Sequence, residues 1–246
     1  MNIIKNEIKD YEEEIKKIFP HARVQRFDWD SLKIKNKYIE TIRQFEKQEI
    51  DILVGTQMVV KGLDFEHVNL VGVFSADKLL SYPDFRVNER AFQMLEQVSG
   101  RAGRKDDQGQ VLIQLFNTQH PLLHYIKNHD FEGFYQKEID IRKEFLYPPI
   151  VRLIRIVLKH KQADIVKKAA EKLFDDLKDL PKTVFFGPAE PAVNRIKNYY
   201  IQEILLKTNR DSAHLSQIKK IVREKINYLT ASNQLTTVFV YVDVDP

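Results

Sequence analysis

The run Gln97-Val98-Ser99-Gly100-Arg101-Ala102-Gly103-Arg104 sets two arginines three residues apart, each directly after a glycine. Arginine stays protonated in a protein and presents a rigid fork of donors that matches phosphate oxygens. Two forks close together, with glycines that let the backbone approach a ligand, suit a polyphosphate whose charge rises as its γ-phosphate is transferred. A helix end with two solvated arginines and glycine caps fits the same residues equally well. A second run lies upstream, Gly55-Thr56-Gln57 followed by Lys61-Gly62-Leu63-Asp64. There Gly62 permits a tight approach, and Asp64 offers a carboxylate to a ribose hydroxyl or a neighbouring arginine. Taken singly, Thr56 as a turn cap, Asp64 as a helix cap and Lys61 as a solvated cation are ordinary alternatives.

Positioning such residues calls for strands that end in loops and helices that begin after them. Residues 3–18 carry isoleucines and Tyr11 at spacings of three and four, which predicts an amphipathic helix ended by Pro20. Strands are predicted over 22–27, 50–54, 69–75 and 110–116, and helices over 34–45 and 85–95, the last leading into the arginine run. These strands are apolar without alternation, as in a parallel sheet covered on both faces. Strand and helix alternate throughout, which predicts a three-layer α/β lobe. His120 and His124 stand four apart at the start of a further helix. No Cys, Asp or Glu completes a metal site beside them, so a structural pair is the simpler reading. A charged helix over 131–145 is broken by Tyr147-Pro148-Pro149, which marks a boundary between a first domain, 1–147, and a second, 148–246.

The second domain reads strand 153–160, helix 163–180, strands 184–186 and 200–206, helix 212–229 and strand 237–244. That β-α-β-β-α-β order is the pattern of an α+β ferredoxin-like sandwich, with one sheet face open. Residues 151–246 hold 17 Lys and Arg against 11 Asp and Glu, whereas residues 1–150 hold 22 against 24. A basic surplus on one domain points to a polyanion. Strand parity predicts that Arg155, Lys159 and Lys207 project from the open face to meet DNA phosphates, with Tyr241 available to stack on an unpaired base. No apolar run approaches a membrane span and no export signal is evident, and zero cysteines exclude disulfides and thiolate metal sites. A cytoplasmic protein is the expectation.

Together the two runs resemble motifs V and VI of superfamily 2 helicases. The resemblance narrows with Tyr82-Pro83-Asp84-Phe85-Arg86, Glu89-Arg90 before the arginine run, Tyr147-Pro148-Pro149 and the closing Asp243-Val244-Asp245-Pro246. From about residue 10 to the end the chain is similar to the C-terminal portion of the primosomal protein N′ family, the helicases that restart stalled bacterial replication forks. One departure is Asp28-Trp29-Asp30-Ser31, which stands where relatives carry an Asp-x-Asp-Thr-Thr segment.

The resemblance implies a RecA-like second helicase lobe and a 3′→5′ DNA helicase that shares ATP and Mg²⁺ with a first lobe. No P-loop or acidic D-E-x-H box occurs in this chain, so it is expected to be inactive alone. The family's zinc module, built on cysteines, finds no ligands here. By the same resemblance Arg104 would stabilise charge on the γ-phosphate, Arg101 would hold phosphate beside it, and Gln97 would orient them or couple them to the attacking water. Gly62 and Asp64 would border the ribose, while Thr56, Gln57 and Lys61 would touch the backbone of the tracked strand. Implied partners are branched and single-stranded DNA, other primosome proteins, and the acidic tail of the single-stranded-DNA-binding protein, received near Lys197 and Gln202. Asn198 stands where relatives commonly carry arginine. A non-catalytic DNA- and protein-binding module, or an RNA helicase lobe, are the alternatives in play.

Overall fold

A computed structural model describes residues 2–28, 35–56, 67–100, 109–231 and 235–245. The chain divides into two compact units, residues 1–134 and 135–246. No helix among the described residues is long and apolar enough to cross a membrane.

The first unit opens with α1 (Asn2–Ile18), stabilised on its polar side by Lys9–Glu13 at 3.5 Å and Lys16–Glu12 at 2.7 Å, both at i,i+4 spacing. β1 (Val24–Phe27), α2 (Lys35–Glu46) and β2 (Ile52–Gly55) follow, and β1 and β2 pair in parallel with Phe27 opposite Gly55. The ring of Phe27 is fully buried among Tyr38, Ile42, Phe45, Leu53 and Val68, and this small core fixes the crossover helix on the strand pair. Next come β3 (Leu70–Val73), α3 (Asp77–Leu80), α4 (Val87–Ser99) and β4 (Gln110–Ile113), which pairs in parallel with β3. α5 (Pro121–Lys127) and the start of α6 (Phe131–Glu144) complete it. Ala91, Phe92 and Leu95 of α4 pack with Leu122, Ile126 and Phe134 in its main core.

Parallel pairing is as the apolar strands predict, but cover on both faces is not what the described residues show. They form two separate parallel pairs, and β3 and β4 alternate, with Leu70 56% and Leu112 60% exposed on one face. An apolar run looks the same whether one face or both are buried, so this alternation had no signal in the sequence. β3 is also shorter than residues 69–75, because Ser75 turns to positive φ.

In the second unit, β5 (Arg152–His160), α7 (Ala163–Leu177), β6 (Thr183–Ala189), the two-residue β7 (Arg195–Ile196), β8 (Tyr199–Thr208), α8 (Ser212–Ala231) and β9 (Phe239–Val244) succeed one another. The sheet order is β6-β8-β5-β9, every pair is antiparallel, and β7 sits on β8. Ile154, Ile156 and Leu158 of β5 point to one face with Ile204 and Leu206 of β8. They form one core with Val166, Ala169, Ala170, Leu173 and Leu177 of α7 and Ile218, Val222 and Leu229 of α8. The sequence spacing of these apolar residues, two in the strands and three to four in the helices, is the physical cause of the layering.

Two backbone devices shape the β6–β8 region. Gly187 adopts φ +99° where the β6–β8 register shifts, and a Cβ there would sit 2.7 Å from the Glu203 carbonyl oxygen. Lys197 and Asn198 both take positive φ between β7 and β8, the backbone of a type I′ turn.

Candidate nucleotide- and DNA-binding site

The arginine run is approached through α4. Asp84 accepts the Arg86 N–H at 2.9 Å and an ion pair from Arg90 at 2.7 Å, so the turn Tyr82–Arg86 is tied to the helix it starts. Ala91, Phe92, Leu95 and Val98 bury one stripe of the helix. Phe92 stacks on Phe134 with ring centres 4.3 Å apart and planes 5° from parallel. At the other end, Gly100 N–H reaches the Glu96 and Val98 carbonyls, and the Glu96 carboxylate meets His129 Nδ1 at 3.0 Å. The second Glu96 oxygen is buried without a hydrogen-bond partner among the described residues. Gln97 lies exposed on the last turn. Sequence reading missed both ends of this arrangement, since Asp84 to Arg90 and Glu96 to His129 are spacings that no helical or strand period marks.

Thr56 is half-buried directly after β2. Asp28 directly follows β1, so the two stand just beyond the Phe27–Gly55 pair at the carboxyl ends of two parallel strands. This is where open α/β sheets place ligands. Asp28 is 7% exposed and its carboxylate lies 3.0 Å from Arg26 Nε. A buried carboxylate at this edge is a functional candidate that the sequence showed only as a departure from relatives. Gln57, Lys61, Gly62, Asp64, Arg101 and Arg104 lie outside the described residues.

In the second unit Arg155, Lys159, Lys207 and Tyr241 do share one sheet face, as their register requires. All four are engaged there. Arg155 is paired with Asp243 at 3.2 Å, and the Lys159 ammonium lies 4.7 Å from the centre of the half-exposed Tyr241 ring. Lys207, expected to project into solvent, is instead 7% exposed. Its ammonium donates to the Phe145 carbonyl at 2.7 Å and lies 3.9 Å from the Tyr147 ring centre and 5.1 Å from that of Phe186. Burial lowers its pKa. Parity predicts a face and not whether a long side chain folds back under its neighbours.

Lys197 is exposed in its turn, whereas Gln202 is buried on the helix side of the sheet, opposite Leu158. Gln202 lines a cavity of about 190 Å³ with Asp164, Lys167, Glu190, Asn194 and Tyr200. The cation beside Gln202 there is Lys167, a residue the sequence did not single out. His120 caps α5 by accepting the Leu122 N–H, His124 meets Asn128, and no metal-ligating cluster occurs among the described residues.

Residues 3–106 match the family described as helicase conserved C-terminal domain, and residues 143–246 match primosomal protein N C-terminal domain. This chain belongs to the primosomal protein N family. It is 40% identical over 213 residues to the replication restart protein PriA of Bacillus subtilis, covering 86% of this chain and 26% of that one. The Synechocystis protein of the same name is 40% identical over 93% of this chain and 27% of its own length, and that of Treponema pallidum 37% identical over 96% and 35%. The chain thus spans about a quarter to a third of the relatives it matches. The family match implies a RecA-like lobe followed by the family's C-terminal domain, in agreement with the mixed α/β structure.

Proposed function

We propose that this chain supplies the second lobe and C-terminal domain of an ATP-dependent 3′→5′ DNA helicase that restarts replication at branched DNA. The observation that carries this is α4, tied by Asp84 at its start and by Glu96 near its end, which stops at Gly100 directly before Arg101 and Arg104. Guanidinium groups after glycines fit a polyphosphate, and ATP with Mg²⁺ would be shared with a lobe that carries the P-loop. Arg104 stabilises the γ-phosphate charge, Arg101 holds phosphate, Gln97 orients them, and Gly62 and Asp64 border the ribose. Thr56, Gln57 and Lys61 contact the tracked strand's phosphates, where contacts position the protein without reading bases.

The second unit, with its four main strands ordered 2-3-1-4 and helices on one face, is read as ferredoxin-like. Near Gln202 it receives the acidic tail of the single-stranded-DNA-binding protein, with Lys167 and Lys197 as the available cations. The test combines this chain with a P-loop lobe of the family and measures DNA-stimulated ATP turnover. Arg104→Ala lowers turnover about a thousandfold or more, as loss of an arginine finger does, and leaves DNA binding nearly unchanged. An unaltered rate removes Arg104 from the site.

A further inference from the structure

The basic surplus of the second unit does not reside on its open sheet face. There Arg155 is paired with Asp243 and Lys207 is buried, which leaves Lys159 beside the Tyr241 ring, with Glu203 on the same face. Half of that surplus of six lies on one helix, α8. α8 holds four cations, Lys219, Lys220, Arg223 and Lys225, against one acid, Glu224. Lys225 faces Asp176 of α7 at 3.8 Å. The other three are exposed and make no ion pair among the described residues.

At about 100° per residue, Ser216, Lys219, Lys220, Arg223 and Asn227 fall within one arc of roughly 100°. All five are exposed, and the arc points away from the buried Ile218, Val222 and Leu229. No acid lies within it. Glu224, at i+4 from Lys220 and the natural partner for it, makes no ion pair among the described residues either. In α7 each exposed lysine, Lys167, Lys168 and Lys172, has a carboxylate three or four residues away in the sequence, whereas Lys219 and Arg223 of α8 have none. A solvated helix face does not need this segregation of charge, and a polyanion does.

We propose that this outward stripe of α8 is a docking surface for the phosphate backbone of duplex DNA. From Lys219 to Arg223 the rise is about 6 Å, and from Ser216 to Asn227 about 16 Å, enough to follow several phosphates along one straight edge. Ser216 and Asn227 extend the row with neutral donors of the kind that bind phosphate oxygens. The stripe contains no aromatic residue, so it offers unpaired bases nothing to stack on, which favours duplex arms over single strands. The inference rests on the reading of the chain as part of a DNA-acting protein, but it stands or falls on a different measurement.

The test uses the whole chain and a fluorescent 20-base-pair duplex, titrated at 50 and 200 mM salt. The variants are Lys219→Gln/Lys220→Gln/Arg223→Gln and, on the sheet face, Arg155→Gln/Lys159→Gln. Each phosphate contact contributes about 0.9 to the slope of log affinity against log salt. Three contacts amount to about 2.7, or roughly a 40-fold loss over this fourfold change in salt. The wild-type chain is expected to show that loss and the α8 variant to lack it, with circular dichroism unchanged, while the sheet-face variant keeps the wild-type slope.

Equal affinity and slope for wild type and the α8 variant overturns the proposal, as does no duplex binding by the wild type at 50 mM. Transfer of the slope change to the sheet-face variant also overturns it. Phosphatidylserine vesicles serve as a parallel arm, and an effect of the α8 changes confined to them assigns the stripe to a lipid surface instead. Failure here leaves the Arg104 turnover experiment untouched, and failure there leaves this salt slope to be judged alone.

Discussion

Lys207→Met is the substitution that most sharply tests how the second unit is held together. Methionine keeps an unbranched stem of similar length and removes the ammonium. That ammonium donates a hydrogen bond to Phe145 O at 2.7 Å and faces the Tyr147 and Phe186 rings at 3.9 and 5.1 Å. A hydrogen bond from a charged donor contributes about 1.5–3 kcal/mol, and a desolvated cation–π contact about 2. Against these stands removal of a charge from water, which costs several kcal/mol. The downward pKa shift, caused by burial, says that the environment as a whole disfavours the charged form.

The two sides therefore nearly cancel, and Lys207→Met is expected to change stability by less than about 1 kcal/mol. Lys207→Ala also removes the packed stem and leaves a cavity, and costs about 2–3. The pH dependence has a definite sign. A lysine whose folded pKa is depressed binds fewer protons folded than unfolded, so stability rises with pH between the folded pKa and the ordinary 10.5. Methionine removes that rise. Hydrogen exchange of the β8 amides, read at pH 7 and across the alkaline range in chemical denaturant, reports both quantities. A loss of about 3 kcal/mol or more in Lys207→Met would refute the reasoning, because the ammonium would then be a net stabiliser. So would an alkaline rise that persists without the lysine.

Gly187→Ala sets a Cβ 2.7 Å from a backbone oxygen at φ +99°, and is expected to lose about 1–3 kcal/mol, seen as faster exchange along β6; a neutral outcome refutes the clash. Asp51 is hydrogen-bonded by the Arg23 guanidinium and backbone N–H, which lower its pKa to about 2. Its contribution to stability is therefore present above about pH 4 and is lost as the pH falls towards 2, and Asp51→Asn flattens that part of the acid profile. Carboxyl NMR places the Asp51 midpoint, and a value near 3.8 refutes the assignment.

Where periodicity and burial coincide, the chain's organisation was legible from residues alone. β5 sets Ile154, Ile156 and Leu158 at a spacing of two, and α7 repeats Val166, Ala169, Ala170, Leu173 and Leu177 at three to four, so both elements and these core faces could be read directly. The β7–β8 turn could not, because Lys197-Asn198 lacks the glycine that usually marks a two-residue hairpin. Lys207 shows the limit of parity, since the strand faces the predicted way while the side chain ends under aromatic rings. At the candidate site, the arginine run and its helix were legible as motifs. Asp84, Glu96 and Asp28 were not, because each acts through a partner or an edge that only the folded chain creates.

β9 has a further consequence, for how the chain behaves before and between its folded encounters. It is the last strand in its sheet order, and it exposes Phe239, Tyr241, Val242 and Val244 within six residues. An apolar edge of that length is a template on which a second chain can add a strand and seed aggregation. Asp243 interrupts it and Asp245 directly follows it. Asp243 is paired with Arg155, and Asp245 with Arg152 and the Leu153 N–H, so both are held at the seam with β5. An incoming strand would have to pass these charges, and a β5–β9 pair that opened during folding would release acids rather than a bare apolar ribbon. Asp243 and Asp245 thus act as gatekeepers, guarding solubility at the strand most exposed to mispairing.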